Sequence, residues 1–471
     1  MSAVVGMKSI LSAKSEPLMN RQSSTPDGTA ASRSASISMP ISIRPTAITK
    51  SLGNQNQRGC MPVFSVIIPA YNNSRYLPEC VHSITGQSFG DLEIVIVDDA
   101  STDDTYAVMQ ELAKEDPRVK VLRHAANAGT LAARRTGVQV SRGAYVLLVD
   151  QDDALEVNTL ADLHEYAVAH PSDIYHYGVR VEAATESARE AAQGMTGFLT
   201  PKPRALHGDE ILATQFAQHD GFDWHVHHKM FRGDLARRAY SMAANTRLLL
   251  SDDLYMCFII DSLAHTYEAI PDSPWYVYHL GRGETLGSQL TVKAFSTLAE
   301  RDAKALKLIR DFVNEHRKDI SRDDWEARIA DVRDRLIEHT MNEWQDNLPE
   351  ADKAEGLEAA LRCWSPDTVC GELYRYVRDY AYAFLVAEDR DSEMAQKNKT
   401  NALRYLQMVE NIEAMDTIDE RNEHYLELRS IARRHLIDSG LIAITSQTSN
   451  KGQSGLLQKL TRRIKQILPK M

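Results

Sequence analysis

Three clusters of acids in this chain stand where carboxylates can do chemistry. Asp150, Asp152 and Asp153 follow residues 144–149, an apolar run whose length and β-forming residues predict a strand buried on both faces. Carboxylates crowded at the mouth of such a strand repel one another unless a positive charge stands between them. A hard divalent cation, Mg²⁺ or Mn²⁺, is the simplest such charge, because it takes oxygen ligands and shares them with substrate phosphates. A solvated acidic loop capping the next helix would use the same residues. Asp98 and Asp99 close a second apolar run, residues 92–97, and Tyr71 follows a third, residues 64–69. Those acids can accept hydrogen bonds from a nucleotide base or ribose, and the ring can stack on a base. Helix capping and an ordinary half-buried aromatic are the structural alternatives. Asp252 and Asp253 head a strongly apolar stretch with helical character. The positive end and free N–H groups of such a helix would keep one carboxylate ionised, while the other serves as a cap.

These acids need strands and helices to hold them. Strands are expected at residues 64–69, 92–97, 119–122 and 144–149, alternating with helices at 75–87, 106–112 and 130–140. That alternation predicts an α/β fold with a doubly wound, mainly parallel sheet, and ligands collect at the carboxyl ends of such strands. No GxGxxG follows a strand and no GxxxxGK[ST] occurs, which weighs against a dinucleotide-binding or P-loop protein. Further on, 174–181 reads as a strand, 186–204 as a mobile loop and 226–231 as a strand with His225 and His227 on one face and His228 on the other. That histidine cluster suits acceptor contact better than a metal. Beyond residue 291 only amphipathic helices are expected, as a separate C-terminal α-helical domain.

The whole chain sets outer bounds. Its 471 residues are 43% hydrophobic and 25% charged, ordinary for a globular protein of two or three domains. A formal charge of -11 argues against nucleic acid as a partner. The five cysteines, Cys60, Cys80, Cys257, Cys363 and Cys370, form no CxxC pair and suit a reducing, cytoplasmic setting. Residues 1–59 have the composition of a disordered leader, with an organelle transit peptide as the alternative. The expected divisions are 1–59, 60–290, 291–440 and 441–471. The last holds a linker and a basic amphipathic helix, 456–471, expected to lie on an anionic membrane surface, here the inner face; packing on the helical domain is the alternative.

As a set, "FSVIIPAYNNSRYLPECVHSI", "LEIVIVDDASTDDT", "NAGTLAARRTGV" and "GAYVLLVDQDDAL" closely resemble the nucleotide-diphospho-sugar-binding half of family-2 glycosyltransferases, which have the GT-A fold. The resemblance is strong over residues 63–155 and weaker to about residue 290. It implies a nucleotide-sugar donor, most often a UDP-sugar, and a glycan acceptor. It implies donor-binding roles for Pro69, Tyr71, Asp98, Asp99, Asn127 and Asp150, and metal roles for Asp152 and Asp153 beside Asp150. "LLLSDDLYMCFII" resembles the family's acidic pair before an apolar helix, so the role of catalytic base carries to Asp253. The first acid is Asp where Glu is more usual, a mild departure. "WYVYHLGRGETLGSQ" matches the family's arginine- and serine-containing loop loosely, and brings His279 in as a further metal or phosphate ligand, with Arg282 beside it. A structural histidine is the alternative there. Two rivals stand: a non-catalytic scaffold acting through the helical domain, and a nucleotidyltransferase. "PAYNNSRYL" lacks the Gly-rich basic loop the second requires.

Overall fold

A computed structural model describes residues 61–443 except 219, 249–250, 283–289 and 416. The expected 1–59 leader and the 456–471 amphipathic segment lie outside the described residues, as does part of the loop after Arg282. The first half alternates β1 (Phe64–Ala70), α1 (Leu77–Thr85), β2 (Leu92–Asp98), α2 (Thr105–Glu115), β3 (Val119–Arg123), α3 (Thr130–Val140) and β4 (Tyr145–Leu148). The chain continues through β5 (Ala154–Leu155), α4 (Thr159–Ala169), β6 (Ile174–Tyr177), β7 (Val179–Ala183), α5 (Glu186–Leu199), β8 (Ala205–His207) and α6 (Asp209–Gln215). Then come β9 (Lys229–Arg232), α7 (Gly233–Met242), α8 (Asp252–Leu263), β10 (Thr266–Ile270) and β11 (Tyr276–Leu280).

The large sheet has the order β3-β2-β1-β4-β9-β6-β10-β8, and a small one has the order β5-β11-β7. In the large sheet β9 opposes both its neighbours and β8 opposes β10, while the other strands run one way. β1 and β2 are buried at every residue. Alternate side chains feed opposite apolar cores: Ile67, Val95 and Val97 on one face, Val66, Ile68, Ile94 and Ile96 on the other. Pro69 fits this central strand because of where it falls. Ile67 O still accepts from Val149 N, but pairing with β4 has ended two residues on, so the missing N–H of Pro69 breaks no ladder.

Two expectations fail locally. The strand foreseen at 174–181 is two strands in different sheets, separated at Gly178, where a Cβ would lie 2.8 Å from Pro271 O. The loop foreseen at 186–204 is largely helix α5, started by Thr185, whose hydroxyl accepts from Ala188 N. From Val292 onward the described elements are helical: α9 (Val292–His316), α10 (Trp325–Asn347), a 3₁₀ turn (Glu350–Asp352), α11 (Lys353–Cys363), α12 (Pro366–Leu385), α13 (Glu393–Glu413) and α14 (Glu423–Asp438). They share one apolar cluster with the sheet face, running from Ile67 and Val97 through α8 to Ile309, Leu336 and Leu428. No helix among the described residues is long and apolar enough to cross a membrane.

Inside α8, burial pushes the Asp261 carboxyl up to about 8 against the pull of Lys229 and Arg322. A raised folded value means that this group's stabilising contribution is complete below about pH 4 and is lost as pH rises through about 8. Asp261→Asn, neutral at every pH, is therefore expected to be more stable than wild type at pH 9 by more than about 1 kcal/mol and by a clearly smaller margin at pH 5. Urea denaturation at the two pH values measures this; equal differences at both would show that Asp261 does not titrate on unfolding.

Candidate active site

The positive charge that the acids need is Arg134, one turn into α3 and 4% exposed. Its Nη2 lies 2.7 Å from Asp150 Oδ1 and its Nη1 lies 3.2 Å from Asp252 Oδ2, and Nη1 also donates to Asp253 Oδ1. One guanidinium thus joins the end of β4 to the head of α8. The other oxygen of Asp253 accepts from Val226 N at 3.3 Å. Burial alone would push Arg134 down; the charges of Asp253, Asp150 and Asp252 hold it well above its ordinary value. Burial, and then the charge on Asp253, pushes Asp252 up to about 7. Three carboxylates around one cation leave the cluster negative, and Asp252 is where a proton most readily relieves it. Arg134 falls within the "NAGTLAARRTGV" motif, where its spacing from Leu131 and Val138 is the signal of its burial.

The acids after β4 divide sharply. Asp152 has no cationic side chain paired to its carboxylate among the described residues, and burial followed by the charge of Asp150 pushes it up to about 6. Asp153 is turned inward and buried. One oxygen accepts from the Tyr276 hydroxyl and the other from His279 N, each at 2.8 Å. Burial, then the charges of Asp152 and Asp150, pushes it well above its ordinary value. His279, on β11, places Nδ1 2.9 Å from the Asp152 carbonyl, and its Nε2 lies 3.6 Å from Glu79 and 3.5 Å from Glu182. Burial and Arg282 push it down, which makes Nδ1 the natural donor to that carbonyl. Arg282 packs over Tyr76, donates to Glu79 Oε2 at 2.7 Å and lies 3.4 Å from the same Asp152 carbonyl. Of the three expected metal ligands, Asp152 alone offers a carboxylate with no side-chain partner.

On the donor side the turns after β1 and β2 are tied together. Gln151 grips both backbone groups of Tyr71: Oε1 accepts from Tyr71 N at 2.8 Å and Nε2 donates to Tyr71 O at 3.2 Å. The Tyr71 ring stays 42% exposed. Asn72 N donates to Ser101 Oγ, and Asn72 Oδ1 accepts from Thr102 N. Ala100 holds φ 62 at this junction, a left-handed conformation that costs a residue with a Cβ about 1–2 kcal/mol. Asp98 is buried against Arg123 Nε at 2.9 Å and accepts from Ser101 N. Asp99 accepts from Ala128 N, Gly129 N and His124 Nδ1, so it anchors the entry to α3. A base reaching either acid would share oxygens already bonded. Asn127 Oδ1, by contrast, is buried with no hydrogen-bond partner.

The histidines before β9 are arranged by Asp223. The strand starts at Lys229, so residues 225–228 do not alternate across a sheet as expected. Asp223 instead draws His228 Nε2 to 3.1 Å, His225 Nδ1 to 3.1 Å and His176 Nε2 to 3.0 Å. His176, Asp223 and His228 have metal-like spacing, their ligand atoms within 4.8 Å of one another. The buried Lys229 ammonium, 3.4 Å from Asp223 Oδ1, already balances that carboxylate, and a divalent ion beside it would be repelled. The cluster is a buried polar network that shapes the loop. His227 projects from it, packing on the Tyr276 and Tyr278 rings with Nδ1 4.0 Å from Asp150 Oδ2.

Comparison with known proteins agrees with this architecture. Residues 65–238 match the family described as glycosyl transferase family 2. The chain is 30% identical over 179 residues to the uncharacterized glycosyltransferase EpsJ of Bacillus subtilis, covering 38% of this chain and 50% of that protein. It is 44% identical over 96 residues to chondroitin synthase of Escherichia coli, covering 20% of this chain and 14% of that one. The chain therefore spans half or less of the length of these relatives. Among solved structures, S. aureus TarS 1-349 in complex with UDP-GlcNAc aligns with a TM-score of 0.49 at 17% identity, over 74% of this chain and 90% of that one. The segment that matches the family, 65–238, contains the parallel β3-β2-β1-β4 half of the sheet and the acids at its strand ends.

Proposed function

We propose that the chain is an inverting glycosyltransferase. It moves a sugar from a nucleotide-diphospho-sugar, a UDP-sugar by resemblance, to a hydroxyl of a growing glycan in cell-surface polysaccharide assembly. The observation that carries this reading is the buried Arg134 guanidinium, which joins Asp150 at the donor-side strand end to Asp252 and Asp253 at the head of α8. Donor diphosphate and acceptor hydroxyl would then meet over one cluster. Asp253 takes the acceptor proton as the hydroxyl attacks the anomeric carbon. Arg134 fixes the direction of that carboxylate. Tyr71 covers the base, and the orphaned Asn127 Oδ1 receives a donor hydroxyl or N–H. The unpaired Asp152, crowded by Asp150, fits a hard divalent cation, and these two residues would hold it. Once bound, Mg²⁺ or Mn²⁺ would neutralise charge on the leaving diphosphate. Asp153 and His279 hold the loop that presents Asp152. The chondroitin synthase among the relatives supports a polysaccharide acceptor.

The test is to incubate the protein with a panel of nucleotide-sugars and Mn²⁺ or Mg²⁺ and to follow nucleotide diphosphate release. Release with sugar transfer is expected. Binding without turnover would return the scaffold reading, and formation of nucleoside triphosphate and sugar 1-phosphate once pyrophosphate is added would return the nucleotidyltransferase reading. Asp152→Ala should abolish turnover in a folded protein, as should chelator. Undiminished wild-type turnover in chelator removes the metal from the mechanism.

A further inference from the structure

The acid pair is held from two sides, and only one belongs to the sheet. Ser251 immediately precedes α8 in the N-cap position, yet its hydroxyl caps none of that helix's free N–H groups. It donates instead to Asp302 Oδ1 at 3.0 Å, on α9 of the helical region. Asp302 is 1% exposed, and its second oxygen accepts from His339 Nδ1 at 2.7 Å and Thr340 Oγ1 at 2.9 Å, both on α10. A second tie lies nearby, where Lys304 Nζ on α9 donates to Arg247 O at 2.7 Å. An N-cap serine ordinarily stabilises its own helix. Here that bond is given up for one that fixes the start of α8 against α9 and α10, one residue before Asp252. Arg134, on α3, bonds the same two acids.

We propose that Asp302 is a positioning residue for the reaction, acting through Ser251 to hold the head of α8 so that Asp253 faces the acceptor, and that the helical region thereby forms part of the catalytic apparatus. This rests on the reading of Asp253 as the base. Asp302 and Ser251 touch neither donor nor acceptor on that reading. Their loss should therefore lower kcat and leave the donor KM unchanged. A hydrogen bond to a charged group is worth enough to make the expected loss on the order of tenfold or more.

The experiment compares full-length wild type, Ser251→Ala, Ser251→Thr, Asp302→Asn and the Ser251→Ala/Asp302→Asn double variant under saturating donor and acceptor. Wild-type turnover is measured first: its absence would defeat the reading of the site itself, a failure distinct from loss of the positioning role. Given an active wild type, Ser251→Ala should lose about tenfold in kcat, Ser251→Thr should restore most of it, and the double variant should be no worse than the poorer single variant. Circular dichroism and urea denaturation identify any variant that has not folded. Ser251→Ala is the milder change, because it leaves Asp302 its bonds to His339 and Thr340. A folded Ser251→Ala enzyme with kcat within twofold of wild type overturns the proposal. So do additive losses in the double variant, which would mean that the two residues act independently.

Discussion

An Asp253→Asn enzyme is expected to bind donor as wild type does and to lose roughly 10²–10⁴-fold in the rate of transfer, the usual range for a general base. The asparagine is isosteric and can still offer one oxygen, either to Arg134 or to Val226 N, where the aspartate serves both. The lone pair that takes the acceptor proton disappears. Asp252 is the obvious substitute, but it is the more buried of the two, with a side chain 8% exposed against 14% for Asp253. It is pushed up to about 7 by burial and then by the charge on Asp253. Removing that charge lowers Asp252 toward the ordinary carboxylate range. Residual activity running through Asp252 would therefore fall off on an acid limb below about pH 7. Steady-state kinetics across pH 5–9, with KM and kcat separated, reads all of this. A loss smaller than tenfold in Asp253→Asn, together with an inactive Asp252→Asn, would transfer the role of base to Asp252.

Local pattern determines the features that can be read from the sequence. Strands β1, β2 and β4 show as apolar runs because they are buried on both faces and leave no polar alternation to confuse them. Helix α3, expected at residues 130–140, spans Thr130–Val140, bounded by a glycine at φ 92 on one side and extended Ser141 on the other. Adjacent acids defeat the same method. Asp152 and Asp153 are neighbours of one type, yet one carboxylate is left without a partner and the other is locked under Tyr276, a residue far along the chain. Only the tertiary path of β11 separates them. Residues 225–228 depart from expectation for a related reason. Their period suggests a strand, but Asp223 gathers three histidines and a lysine, and that network outweighs the weak preference of four residues for pairing.

Arg134 shows how a site residue hides. Next to Arg135 in an amphipathic helix it reads as part of a solvated face. Its spacing says otherwise: it stands three residues after Leu131 and four before Val138, inside the stripe that α3 buries. An arginine in an apolar stripe needs buried partners, and three acids without cations stand elsewhere in the sequence.

Replacing Arg134 with glutamine should therefore do more than slow the reaction. Breaking a buried ion pair by removing one partner typically costs about 3–5 kcal/mol, because the other charge is left uncompensated. Here Asp150, Asp252 and Asp253 would all face one another without a cation. The pH dependence has a definite sign. Without Arg134, the folded values of these carboxyls rise above their unfolded ones. Stability is then retained at pH values below the unfolded carboxylate range and is lost as pH rises through the raised folded values. Arg134→Gln should thus lie nearer wild type at pH 5 than at pH 8 in urea denaturation, and should be inactive at both. The double variant Arg134→Gln/Asp253→Asn removes one of the stranded charges, so it should be more stable at pH 8 than Arg134→Gln alone, a non-additivity that only residues sharing an interaction display. Arg134→Lys keeps the charge but not the fork that reaches β4 and α8 together, so it should recover stability before activity. A deficit in Arg134→Gln that is the same at pH 5 and pH 8, and that the second substitution only deepens, would mean that Arg134 serves by packing and that the three acids find their balance elsewhere.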